Sequence, residues 1–176
     1  VSTGGGDLTD PRGTATRVDG GFLVNGRKPF ASQAPVGAAL STMFTYDDPE
    51  DGRIVLNMAI PTASEGVTVL DTWDALGMRG TGSHDIELHD VFVADQQVLA
   101  RRPHGRIDGP LQVILSIAMP PIAAVYLGVA EAARDRAVGL VTGTPRAEET
   151  LRQRQIGLMD TRLRVAAWAL DGALAT

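Results

Sequence analysis

The stretch VDGGFLVNGRKPFAS, residues 18–32, decides how the rest of the chain is read. An apolar run at 22–24 leads into Asn25-Gly26, a pair typical of tight turns, and within six residues follow a lysine, an aromatic ring and a small hydroxyl. By residue type alone, Phe30 is a core ring and Ser32 a strand-end hydroxyl. Outward from this stretch the pattern repeats. AALSTMFTY (38–46) runs into the turn cluster DDPEDG, RIVLNMAIP (53–61) stops at a proline, and VTVLDTW (67–73) and DIELHDVFV (85–93) partly alternate apolar with polar residues. The first hundred residues therefore predict a run of short antiparallel strands, with Asn25-Gly26 as one strand's exit.

Arg, Pro and Gly concentrate over 101–110, RRPHGRIDGP, and the pattern turns helical after them. The expected organisation is α+β: an antiparallel β-barrel-like domain over 1–103, then part of an α-helical bundle over 108–176. Residues 111–140 form an apolar run interrupted by Pro120 and Pro121, long enough to raise the question of a membrane span, which needs roughly 20 apolar residues. The small residues Ala123, Ala124, Gly128 and Ala130 suit a helix packed closely in a bundle, so no membrane span is expected. In the last helix, starting near 146–155, Ile156, Met159, Leu163, Ala166 and Leu170 recur at spacings of three and four, a stripe that should pack on the preceding helix.

With 176 residues, 44% of them hydrophobic, and no cysteine, the chain can bury a core without disulfides, and a cytoplasmic location is expected. A net charge of −5 argues against a nucleic-acid partner. The sequence starts without Met and without the charged-then-apolar pattern of a signal peptide, and its last residues, WALDGALAT, read as a continuing helix. A piece of a longer polypeptide is expected.

Three groups of residues carry possible chemistry. TGGGD (3–7) can offer backbone N–H groups to a phosphate, or is a flexible loop. His84, His89 and His104 lack metal-ligand spacing, so no metal is expected. DALGMRGTGSHD (74–85) sets Arg79, Thr81, Ser83 and Asp85 at alternate positions through glycines. Such a loop can surround an anionic ligand, or Arg79 can pair with a nearby carboxylate and stiffen a turn; spacing does not choose. The chain has neither a nucleophile elbow nor a Walker-type phosphate loop.

Taken together, VDGGFLVNGRKPFAS, LDTWDALGMRGTGSHDIELHDVFV (70–93) and GVAEAARDRAVGLV (128–141) resemble the middle β-domain and the start of the C-terminal helical domain of the acyl-CoA dehydrogenase superfamily. The resemblance implies a flavoenzyme of fatty acid metabolism that binds FAD. It places Phe30, Ala31 and Ser32 against the flavin ring, with the hydroxyl near N5, and gives Gly5 and Gly6 backbone contacts to the cofactor, Gly6 standing where the family usually has a hydroxyl. Arg79, Thr81 and Ser83 become the candidate substrate-binding residues. The implied reaction removes an α-proton from an acyl-CoA thioester while hydride passes to the flavin, after which electrons leave to an acceptor protein.

The carboxylate base of most members lies in a later helix, beyond Thr176, and in a minority at the position of Ala118, so no residue of this chain is assigned as the base. A family Arg-x-x-Phe-Gly stretch that reaches a neighbouring subunit's FAD has only Arg146 here. Two-component monooxygenases share the fold, need no such base and take reduced flavin, FMN among them, from a separate reductase. That activity is the alternative to dehydrogenation, and a catalytically silent binding or assembly module is the third reading. Under each, the resemblance implies a homo-oligomer, a dimer or tetramer.

Overall fold

Seven strands make one sheet among the described residues, 7–107 and 109–175 of a computed structural model: β1 (Thr14–Val18), β2 (Gly21–Lys28), β3 (Ala39–Asp48), β4 (Gly52–Pro61), β5 (Val67–Val69), β6 (Ile86–Ala94) and β7 (Val98–Pro103). Their order is β5-β6-β2-β1-β3-β4-β7. Neighbouring strands run antiparallel except β1 and β3, which lie parallel and pair at Thr14 and Thr45. Alternate side chains of four strands point into one core, with Phe22, Val24, Leu40, Phe44, Leu56, Met58, Ile60, Ile86, Val91 and Val93 fully or almost fully buried. The chain thus has the expected fold class.

Asn25-Gly26 is not a strand exit. β2 runs through it to Lys28, and opposite it β6 carries one extra residue, since Val24 pairs with Val91 but Gly26 with Leu88. Asn25 fills the gap left in the ladder: its Nδ2 donates to Asp90 Oδ1 at 2.8 Å, and its Oδ1 accepts from the Asp90 backbone N–H at 2.9 Å. Asp90, at φ 48°, takes up the extra length. Inward-facing residues of β6 accordingly switch from Ile86 and Leu88 to Val91 and Val93. Glycine is required at 26 because a Cβ there would lie 2.9 Å from the Cα of Gly13, with φ at +152°.

At the end of β2 the Lys28 side chain turns into the core, 4% exposed. Its ammonium donates to the carbonyls of Arg12 and of Met43, the latter at 2.6 Å, and sits 4.1 Å from the centre of the Phe44 ring. Burial pushes the amine down from 10.5 to about 8.

The chain divides into two compact units, Val1–Asp108 and Gly109–Thr176. In the second, α1 (Gly109–Val141) continues through Pro120 and Pro121. Proline's fixed φ is compatible with a helix, so the pair removes two backbone donors without ending α1. By length and composition, Leu111–Val141 is also apolar enough to cross a membrane, with a mean hydropathy of 2.1 over its most apolar 18 residues. α2 (Thr150–Leu174) lays Leu163, Ala166 and Leu170 of the expected stripe toward Ala123, Tyr126, Leu127 and Ala130 of α1. Arg134 and Asp160 join the two helices with an Nε to Oδ1 distance of 3.0 Å.

Candidate functional site

Two loops of the sheet unit meet edge to edge, the one leaving β2 (residues 29–38) and the one joining β5 to β6 (residues 70–85). Backbone bonds lock them: the Ala31 N–H donates to His84 O at 3.0 Å and the Gln33 N–H to Thr81 O at 2.7 Å. Phe30, Gln33 and Met78 adopt φ of 55°, 63° and 54°. Each non-glycine residue in that region costs about 1–3 kcal/mol, so the surrounding bonds must hold all three there, a concentration of strain typical of functional sites.

The sequence-derived candidates fall into this junction. Phe30 is half-exposed and meets Trp73 edge to face, ring centres 6.3 Å apart. Ala31 is buried beneath it. The exposed Ser32 has its Oγ 2.9 Å from that of Ser83, which is buried and lies 2.6 Å from Thr81 Oγ1; Thr81 in turn donates to Met78 O at 2.9 Å. Ser32, Ser83 and Thr81, read from separate motifs, form one hydroxyl chain. Gly5 and Gly6 lie outside the described residues.

Arg79 does not join this chain. Its guanidinium reaches Asp74 Oδ1 at 3.3 Å and Ala75 O at 3.1 Å, bracing its own loop, with both charged side chains largely exposed. Exposed pairs of this kind contribute under about 1 kcal/mol. Arg79→Ala should therefore shift the thermal unfolding midpoint only slightly; a loss of several degrees would show that the pair holds the loop.

Sequence reasoning missed His84 and Trp73. His84 Nδ1 accepts the backbone N–H groups of Thr72 at 3.0 Å and Trp73 at 3.1 Å, fixing the segment that carries the Trp73 ring. An acceptor role at Nδ1 places the proton of the neutral ring on Nε2. Spacing gave no hint of this, since the partners are main-chain groups. Among the described residues no cluster of His, Asp or Glu could hold a metal.

An open aromatic ring beside an exposed hydroxyl fits a flat heteroaromatic ligand with polar edge atoms, and a flavin is such a ligand. The family model described as "Acyl-CoA dehydrogenase, middle domain" matches residues 2–91. The chain belongs to the acyl-CoA dehydrogenase family. Among its family relatives it is 34% identical over 179 residues to L-evernosamine nitrososynthase of Micromonospora sp., covering 96% of this chain and 41% of the relative. It is 39% identical over 134 residues to dibenzothiophene monooxygenase of Rhodococcus erythropolis, covering 72% of this chain and 31% of the relative. The solved structure of KijD3 in complex with FMN and dTDP-3-amino-2,3,6-trideoxy-4-keto-3-methyl-D-glucose matches with a TM-score of 0.65 at 31% identity, over 94% of this chain and 43% of that one. The chain thus spans less than half of the curated relatives it matches.

Proposed function

We propose that this chain is the flavin-facing part of a flavin-dependent monooxygenase that takes reduced FMN and oxidises a heteroatom of a small organic substrate. The observation that carries the reading is the junction itself: an open Phe30 ring, strained into place, beside a Ser32 hydroxyl wired to Ser83 and Thr81. The similar nitrososynthase and dibenzothiophene monooxygenase, and the FMN held by KijD3, support oxygen transfer over dehydrogenation. Bound reduced flavin supplies the two electrons that let dioxygen deliver one oxygen atom to substrate and release the other as water. The protein's own part is to hold the ring against Phe30, to fix its polar edge at Ser32 and to exclude bulk water.

Under this reading a flavin reductase is the partner, and the apolar faces of α1 and α2 are covered by helices of the full polypeptide or of a second subunit in a cytoplasmic homo-oligomer. The family match also favours a second reading, acyl-CoA dehydrogenation with bound FAD and an electron-transfer acceptor, with the base supplied from outside this chain.

One anaerobic titration of the full-length protein separates the two. With oxidised FMN or FAD bound, a panel of acyl-CoA thioesters should leave the visible flavin spectrum unbleached. Photoreduced FMN, once bound and mixed with air, should then oxygenate an amino sugar or thioether substrate. Bleaching by a thioester would replace the proposal with dehydrogenation, and failure to bind flavin in either redox state would remove both readings in favour of a silent module.

A further inference from the structure

Three hydroxyl contacts in the junction share only three hydroxyl hydrogens. Met78 O can only accept, so the hydrogen in its 2.9 Å contact belongs to Thr81. With that hydrogen used, the 2.6 Å contact between Thr81 and Ser83 takes its hydrogen from Ser83. The 2.9 Å contact between Ser83 and Ser32 then takes its hydrogen from Ser32. No other assignment satisfies all three contacts, because each hydroxyl has one hydrogen to give.

Of the three, Ser83 is buried and Ser32 is exposed. The chain therefore passes from the exposed Ser32 through the buried Ser83, and then Thr81, to the main-chain carbonyl of Met78, an exposed residue. Ser32 spends its hydrogen on the interior and keeps only lone pairs for a ligand.

We infer that Ser83 and Thr81 are positioning residues that fix the Ser32 hydroxyl as a hydrogen-bond acceptor, so that the site favours a ligand edge bearing a donor, the reduced rather than the oxidised flavin. The inference rests on the flavin reading of the site and deepens it. Under the flavin reading Ser32 faces N5, where reduced flavin carries a hydrogen and oxidised flavin a bare lone pair. For Ser32 to donate to the oxidised ring it must turn its hydrogen away from Ser83, and one of the three internal bonds is lost. The loss of one such bond corresponds to roughly five- to tenfold in a binding ratio. This bias suits a protein that must receive flavin already reduced and let it go once oxidised.

The test uses the full-length protein and measures, anaerobically, the dissociation constants of oxidised and of photoreduced FMN, together with the potential of the bound couple. Ser83→Ala frees the Ser32 hydrogen to face the ligand. The preference for reduced FMN should fall about five- to tenfold, and the potential should become more negative by about 20–30 mV for this two-electron couple. Thr81→Val should shift both in the same direction, because Ser83 can then donate to Ser32, and it serves where Ser83→Ala does not fold. Thr81→Ser keeps the hydroxyl and should restore the wild-type ratio, which a merely structural role would not predict. In a Ser32→Ala background, Ser83→Ala should leave the ratio unmoved. Flavin binding with a ratio that Ser83→Ala and Thr81→Val leave unchanged, or raise, would overturn the inference alone. No binding of FMN in either state would overturn it together with the flavin reading.

Discussion

Raising the pH from 7 toward 10.5 should stabilise the wild-type sheet unit relative to Lys28→Met by about 3 kcal/mol. In the unfolded chain this lysine titrates near 10.5; folded, desolvation lowers it to about 8. Between those values the unfolded state holds a proton that the folded state does not, so unfolding takes up a proton and stability rises with pH. Below pH 8 the lysine is charged in both states and the full cost of burying it is present. Above 10.5 it is neutral in both and the cost is gone. The difference, 10.5 − 8 or about 2.5 units, at 1.36 kcal/mol per unit gives the figure.

The measurement is a series of urea midpoints in the full-length protein with every tryptophan other than Trp73 replaced by phenylalanine, so that Trp73 reports on the sheet unit. Lys28→Met cancels every other group that titrates over the same range. A wild-type minus variant difference that stays flat from pH 7 to 10.5 would show that Lys28 keeps an ordinary affinity for its proton. Structurally, such a lysine works as an internal tie: it holds the carbonyl of Arg12 before β1 and that of Met43 in β3. It does so two residues before Phe30, so the same side chain steadies the base of the candidate site.

The parts of this fold that were legible in the sequence are those whose burial leaves a pattern. β3, β4 and β6 place apolar residues at alternate positions, and these strands were read directly from it. β1 and β7 were not, because β1 buries only Ala15 and β7 buries no residue at all, so neither leaves a hydrophobic trace. Asn25-Gly26 was misread for a different reason. Asn and Gly suit a turn, but they also suit a strand that must face a bulge and pass close to another backbone, and only the pairing with β6 chooses between these.

The candidate site divides the same way. Phe30, Ser32, Thr81 and Ser83 were named from residue type and resemblance, yet their connection into a single hydroxyl chain depends on two loops some fifty residues apart in sequence. Arg79 was open between ligand and turn, and the structure puts it on Asp74. Lys28 was in plain view within the opening stretch, but a lysine read by type is a surface residue, and its burial follows from the strand's even-numbered inward face.

Phe44→Ala should cost the sheet unit about 3–5 kcal/mol, the range for deleting a fully buried phenylalanine, out of a total that for a domain is only about 5–15 kcal/mol. Phe92→Ala, on a half-exposed ring of β6, should cost much less and serves as the control in the same urea series. Equal losses at the two positions would mean that Phe44 is not part of a close-packed core. Packing is not the whole of the Phe44 effect, because its ring lies 4.1 Å from the Lys28 ammonium. A desolvated cation over a ring contributes about 2 kcal/mol, and only while the cation is charged. A double-mutant cycle of Lys28→Met and Phe44→Leu, in which the leucine keeps most of the volume, isolates that share. The coupling should be about 2 kcal/mol at pH 7, where Lys28 is protonated, and close to zero at pH 10.5, where it is not. A coupling that does not change with pH would assign the contact to packing alone and leave the buried charge without its aromatic partner.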